Sequence, residues 1–192
     1  MEYNNSFGFS KNIALDAILY VLEEQEGSCK IEDLMNTLYL FERDNMVKYA
    51  MLRFNDEIVS TMKGFSFTTI NKMIQESNDL SSDWHGYIKY DRITGIIEQT
   101  QLTQYGELSE EDRDNLSACT QEVISINRAN DTKYFISLPE HVKVWGFDNI
   151  PISLKQIYEA YTDLPPEYIQ EALDEIDYCR HWDDFTNRMR DE

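Results

Sequence analysis

The sequence is short of the residues that mark several classes of protein. It has three cysteines, four prolines and seven glycines in 192 residues. An odd number of widely spaced cysteines predicts no disulfide framework, and so few glycines and prolines exclude a low-complexity chain. No apolar run approaches the roughly 18 residues of a membrane-spanning helix, and the first residues do not resemble a signal peptide. We therefore expect a folded, cytoplasmic protein.

Positive charge is also scarce. Seventeen Lys and Arg residues stand against 36 Asp and Glu, which gives a net charge of −19. Nucleic-acid binding relies on Lys and Arg to neutralise phosphates, and an anionic membrane surface repels an acidic protein. We therefore expect neither nucleic acid nor a membrane as partner. A well-solvated surface explains the acidity most simply, and complementarity to a basic protein is the sharper alternative.

Signatures of catalysis and of metal binding are missing. His85, His141 and His181 are not at metal-ligand spacing, and Cys179 with His181 has no second pair. No nucleotide-binding loop, nucleophile elbow or zincin motif occurs. Acidic pairs do occur, but 36 acids make such pairs commonplace. We expect no enzymatic activity, no metal and no cofactor.

What the sequence does have is helical periodicity. Apolar residues recur at helical spacing in KNIALDAILYVLEEQ and again from Ile31 onwards. The second stripe comprises Leu34, Met35, Leu38 and Phe41. Residues 45–51 continue this helix or form a short third one, and residues 42–44 are expected on its solvated side.

Three later helices have start signals of their own. Ser109 precedes three acidic residues, an oxygen cap followed by carboxylates that complement the helix dipole. Ser153 and Gln156 fit a capping box, and Pro166 suits the first turn of a last helix.

Strand signals are weaker. Residues 87–90 and 96–100 flank a turn that contains Gly95, which predicts a β-hairpin. Residues 57–62 are β-prone but short, Gly64 indicates a turn, and Ser66 or Thr68 is expected to cap the next helix. We predict a predominantly α-helical (α+β) single compact domain, residues 1–192, with one small β-hairpin or short antiparallel sheet.

The order of these features resembles the SocA-like Panacea antitoxin family over residues 13–161, with residues 162–192 as a C-terminal helix and acidic polar tail. The matching segments are DLMNTLYLFERDNMVKY, the glycine in TMKGFSF, LSEEDRDNL, and the Leu-His-Trp pattern of residues 138–145. Their motif residues are Leu38, Tyr39, Leu40, Gly64, Leu108, Ser109, Asp112, His141 and Trp145. Residues 33–36 and 65–67 depart from the family pattern, and the latter lack its prolines. These departures are typical of a divergent member.

This resemblance implies a protein that neutralises a toxin or effector protein by direct binding, without a cofactor. An alternative is a phage or mobile-element inhibitor of a host defence protein, acting through an acidic surface that imitates DNA. A helix-turn-helix regulator is disfavoured, because Glu32 and Asp33 supply the wrong charge for meeting phosphates.

Two groups of residues are candidates for contact with a partner, since Tyr and Trp are enriched at binding hot spots. They are Trp84, Tyr87 and Tyr90 near the hairpin, and Trp182, Asp183 and Asp184 in the last helix. Ordinary packing in a sheet or core also explains these aromatic residues.

Overall fold

The computed structural model describes residues 9–101, 105–143 and 150–190, and the side chains within them up to Cys179. The helices are α1 (Lys11–Glu24), α2 (Ile31–Tyr49), α3 (Thr68–Glu76), α4 (Glu110–Arg128), α5 (Pro139–Val142), α6 (Leu154–Tyr161) and α7 (Pro166–Arg190), with a 3-10 turn at Phe135–Ser137. The strands are β1 (Ser28–Lys30), β2 (Ile58–Thr61), β3 (Gly64–Phe67), β4 (Ile88–Asp91), β5 (Ile96–Gln99) and β6 (Ile150–Pro151).

Helix α2 lies at the centre of the domain. It contacts α1, α4 and α6 and both β1 and β3. Leu38, Tyr39, Leu40 and Phe41 are all fully buried, so every side of the helix is covered at this level. The helix is continuous to Tyr49, and Ala50 ends it in the left-handed conformation with φ of 51°. The middle turns of α2 therefore have no face to offer to DNA, and the partly exposed first turn carries Glu32 and Asp33, whose charge disfavours contact with phosphates.

Two small antiparallel sheets flank α2. One has the strand order β1-β5-β4 and the other β3-β2-β6. The predicted hairpin of residues 87–100 is confirmed as β4 and β5, with Tyr90 opposite Ile97. The second sheet was not predicted, since only four residues of β2 pair with β3 and the pattern of β2 does not alternate. The predominantly helical α+β class is confirmed.

The cap of α3 differs from the prediction. Neither Ser66 nor Thr68 caps the helix; instead the buried carboxylate of Asp56 accepts the N–H groups of Thr69 and Ile70 at 2.9 and 2.8 Å. The cap therefore comes from a residue twelve positions before the helix start, which a local sequence signal does not reveal. The predicted Ser109 cap of α4 and the predicted capping box of α6 are both present. At α4 the Asp112 side chain also accepts the Ser109 N–H, so this cap is a capping box too, which was not predicted.

Candidate functional site

A groove opens where the β2–β3 hairpin, β4, α3 and the first turns of α2 meet. It has a volume of about 280 Å³. Its lining is Ile31, Glu32, Met35, Thr61, Met62, Lys63, Phe65, Ser66, Asn71 and Tyr90. Met35 and Phe65 are buried beneath the groove, whereas Met62 on its rim is 82% exposed. Methionine adapts its shape to a neighbour, so this lining suits an apolar side chain from another molecule.

One ion pair crosses the rim of the groove. Lys63 Nζ donates to Glu32 Oε1, and both side chains are partly open to solvent. Partial burial acts to raise the pKa of Glu32, but the hydrogen bond and charge of Lys63 outweigh it, so the pKa is lowered. The same hydrogen bond raises the pKa of Lys63. Both groups are therefore charged at neutral pH, and each can exchange its partner for a charge on another protein.

The turn at the top of the groove explains why residue 64 is glycine. Asn36 Oδ1 accepts the Phe65 N–H at 3.0 Å, and Asn36 Nδ2 donates to the Lys63 carbonyl at 3.4 Å. Gly64 has φ of +131°, and a Cβ there would overlap Asn36 Oδ1 and lie 2.9 Å from the Cβ of Phe135. Only glycine allows the hairpin to approach α2 this closely.

An asparagine side chain also covers the edge of β4. Asn78 Nδ2 donates to the Tyr90 carbonyl at 2.7 Å, and its Oδ1 accepts the Tyr90 N–H at 3.4 Å. Asn36 has a similar role at β3, through the Phe65 N–H and the carbonyl of Lys63, the residue before the strand. Exposed strand edges invite pairing with other chains. In each sheet, an asparagine side chain therefore occupies part of the edge that a partner strand would need.

The structure separates the residues predicted to contact a partner. Tyr90 lines the groove. Tyr87, three residues before Tyr90 in the sequence, is 36% exposed. Trp84 is only 1% exposed and belongs to the core, so it has no surface to offer a partner; packing was the right interpretation for this residue. Trp182, Asp183 and Asp184 lie in α7, and their side chains are outside the described ones.

The residues taken from the family motif serve the fold. Leu38, Tyr39, Leu40 and Leu108 are core residues. Ser109 and Asp112 form the capping box of α4, and Asp112 also pairs with the Arg53 guanidinium at 2.6 Å. Trp145 lies outside the described residues.

A buried polar cluster joins α2, α5 and α6. Glu140 is fully buried, and its Oε1 accepts the hydroxyls of Tyr39 and Tyr161, the latter at 2.9 Å. Burial and the charge of Glu140 raise the pKa of Tyr39 well above its usual value. The Arg43 guanidinium lies 4.6 Å from the centre of the Tyr161 ring. These two hydrogen bonds link α2, α5 and α6 through one buried side chain.

His141 anchors α5 to the groove. Its Nε2–H donates to the Thr61 carbonyl at 2.8 Å, because a carbonyl can only accept. The centres of its ring and of the Phe65 ring lie 5.4 Å apart, and the two ring planes are almost perpendicular. The imidazole is 3% exposed, so it positions the hairpin that lines the groove and does not itself contact solvent.

Glu42 corrects the expectation that residues 42–44 face solvent. It is 1% exposed, and its carboxylate accepts the N–H groups of Arg53 and Phe54 at 2.8 and 3.1 Å. Desolvation raises its pKa to about 7, although these hydrogen bonds act to lower it. Helical periodicity missed this residue, because the segment after α2 folds back over it and covers the expected solvent side.

Among the described residues, no three His, Cys, Asp or Glu side chains could together hold a metal ion. Burial raises the pKa of both Cys29 and Cys119 to about 12. No helix within the same residues is long and apolar enough to cross a membrane.

Comparisons with models of known protein families, with curated proteins and with solved structures returned no match. The likeness to the SocA-like Panacea family therefore stays a prediction from the order of motifs. Function has to be argued from the surfaces of the molecule.

Proposed function

We propose that this protein is a non-enzymatic, antitoxin-like binding module that neutralises a toxin or effector protein by direct contact. It acts in the cytoplasm of a bacterial cell or of an infected host cell. The groove is the observation that carries this proposal. Exposed Met62 stands beside buried Met35 and Phe65, which provides an adaptable apolar contact framed by charged groups.

The charge of the molecule supports a basic partner. A net charge of −19 attracts a cationic protein over long distances and accelerates its encounter. At the groove itself, a lysine or arginine of the partner can replace Lys63 at Glu32. The affinity then comes from apolar anchor residues, whereas the charges speed association and orient the partner.

The test begins with tagged full-length protein expressed in its source cell or infected host. We expect a basic protein to co-purify in stoichiometric amount, and its toxicity to be suppressed by co-expression. Met62→Asp should weaken the complex by about tenfold or more, since it places a charge in an apolar contact. Ile93→Asp is the matched control, because Ile93 is 96% exposed and does not line the groove. Enzymatic turnover by the purified protein, together with the absence of any co-purifying protein, would refute the proposal.

A second candidate function is the anti-defence inhibitor that imitates DNA. Its support is an acidic face formed by α1 and the start of α4, where Glu107 N–H donates to Asp16 at 2.9 Å and Ser117 donates to Glu24 at 3.0 Å. Glu24, Asp114 and Glu23 lie close enough to Tyr20 on the same face to influence it, as does a cation, Arg113. Such an inhibitor should lose affinity steeply as salt is added. Binding that is insensitive to salt and to neutralisation of these carboxylates would exclude it.

A further inference from the structure

Buried polar atoms that lack a partner in the protein are concentrated in one part of the domain. Among the described residues, six side-chain nitrogen or oxygen atoms are buried and have no hydrogen-bond partner. Three of the six are Ser60 Oγ, Glu140 Oε2 and His141 Nδ1, and none of these three residues is more than 3% exposed. In native proteins such atoms almost always bond to another protein group or to ordered water. A group of three therefore requires a partner.

The contacts of Phe65 bring these three side chains together. Ser60 on β2 lies directly opposite Phe65 on β3, and side chains paired in this way share one face of the sheet with Cβ atoms about 4.5 to 5.5 Å apart. The centre of the Phe65 ring lies 3.6 Å from that of Tyr39 and 5.4 Å from that of His141. The Tyr39 hydroxyl in turn donates to Glu140 Oε1. Ser60, Glu140 and His141 therefore surround one aromatic stack under the β2–β3 hairpin.

The bonds already made determine what each group can still do. Glu140 Oε1 accepts two tyrosine hydroxyls, and Oε2 remains as an acceptor. His141 donates from Nε2 to the Thr61 carbonyl, so in the neutral imidazole Nδ1 has a lone pair and can only accept. Because Oε2 and Nδ1 are both acceptors, they cannot satisfy each other. The Ser60 hydroxyl can donate to one of them or to a third group.

These requirements select the ligand. A molecule that satisfies all three groups must donate two protons, accept one and fit into a packed core, and water does so. A buried water molecule makes about three hydrogen bonds. An anion would face two lone pairs. A structural zinc site takes four ligands, whereas in the described part of the chain no three His, Cys, Asp or Glu side chains could hold a metal.

We propose that Ser60, Glu140 and His141 form a binding site for one internal water molecule. The water donates to Glu140 Oε2 and His141 Nδ1 and accepts the Ser60 O–H. It joins α5 to β2 beside the Thr61 carbonyl, which His141 already holds, and so fixes the wall of the groove. A bridging water is nearly as favourable as a direct hydrogen bond. The site does not depend on the proposed function, because no partner enters it.

A crystal structure of the full-length protein, at a resolution that shows ordered water, tests the site directly. We expect one density peak about 2.5 to 3.2 Å from each of the three atoms. Nitrogen-15 NMR spectra of the His141 ring should identify Nδ1 as the nitrogen without a proton. A direct hydrogen bond between Glu140 Oε2 and His141 Nδ1, or no peak between the three atoms, would overturn the proposal. A peak with contacts of about 2.0 to 2.2 Å would identify a metal ion and overturn the choice of water.

The substitution Ser60→Ala gives a second test, because its sign depends on the water. With the water bound, the variant loses a hydrogen bond, and the folded-to-unfolded ratio in urea denaturation should fall about 5- to 30-fold. Without it, removal of an unpaired buried hydroxyl would leave the ratio unchanged or raise it. Ser66→Ala is the matched control, since Ser66 lies on β3, lines the groove and should change the ratio less than about threefold. If Ser60→Ala does not fold, the wild-type crystal structure decides.

Discussion

Replacing Glu42 with glutamine should change how the stability of the protein depends on pH. Glu42 is 1% exposed, and desolvation raises its pKa to about 7 from the ordinary value of 4.5. The folded protein therefore holds a proton at Glu42 more tightly than the unfolded chain does. As pH rises from 4.5 to about 7, the unfolded state ionises first, and the wild type loses stability. Above that range, the loss from this group is complete.

The size of the effect follows from the two pKa values. Each pH unit between them corresponds to about 1.4 kcal/mol, so the full loss is about 3 kcal/mol. Between pH 5 and 8 the wild type should lose about 2 to 3 kcal/mol of unfolding free energy relative to Glu42→Gln. This range lies above the isoelectric point near 4.4, where the protein stays negatively charged.

Urea denaturation of both proteins at several pH values measures this difference. Titration of every other group is common to the two proteins and cancels in the comparison. Glu76→Gln, which removes an exposed carboxylate, should follow the wild-type curve at all pH values. A difference between wild type and Glu42→Gln that is flat, or that grows with pH, would refute the reasoning. It would show that the N–H groups of residues 53 and 54 stabilise the carboxylate by more than burial destabilises it.

Three further predictions concern the backbone and the thiols. Gly64→Ala should lower the free energy of unfolding by about 3 kcal/mol or more, because the added Cβ meets α2. Gly95→Ala, with φ of +70° and no atom within 4 Å of the added Cβ, should lower it by about 1 to 2 kcal/mol. Urea denaturation measures both. Asn78→Ala uncovers the edge of β4 and should cause concentration-dependent self-association in light scattering, while Asn127→Ala at an exposed helix position should not. A thiol-reactive dye at pH 8 should label Cys179 rapidly and the two buried cysteines only after unfolding; equal rates for all three would contradict their burial.

The helices could be predicted from the sequence because their signals are local. Ser109 and Ser153 each satisfy N–H groups within three residues, so a short window of sequence contains the whole interaction. The cap of α3 could not be predicted in this way, since Asp56 is brought to Thr69 by the hairpin between them. The second sheet was missed for a related reason. Its strands have two to four residues each, too few to show a period of two.

The groove was even less accessible to sequence reasoning. Its aromatic side chain near a predicted hairpin makes Tyr90 a candidate for contact with a partner, and Tyr90 does line the groove. Met62, Lys63 and Asn36 carried no signal, because their proximity depends on how the β2–β3 hairpin packs on α2. Gly64 is predicted both as a turn residue and as a family-motif residue, but its steric requirement depends on Asn36 and Phe135, which lie far from it in sequence.

The central position of α2 has a consequence for how the domain opens. A helix in contact with three other helices and with strands of both sheets cannot separate from one neighbour while keeping the rest. The amide protons of residues 38–41 should therefore exchange with solvent deuterium only when the whole domain unfolds. Their exchange rate reports the global free energy of unfolding, so a bound partner can be detected as a slowing of exchange at α2, far from the surface that the partner covers.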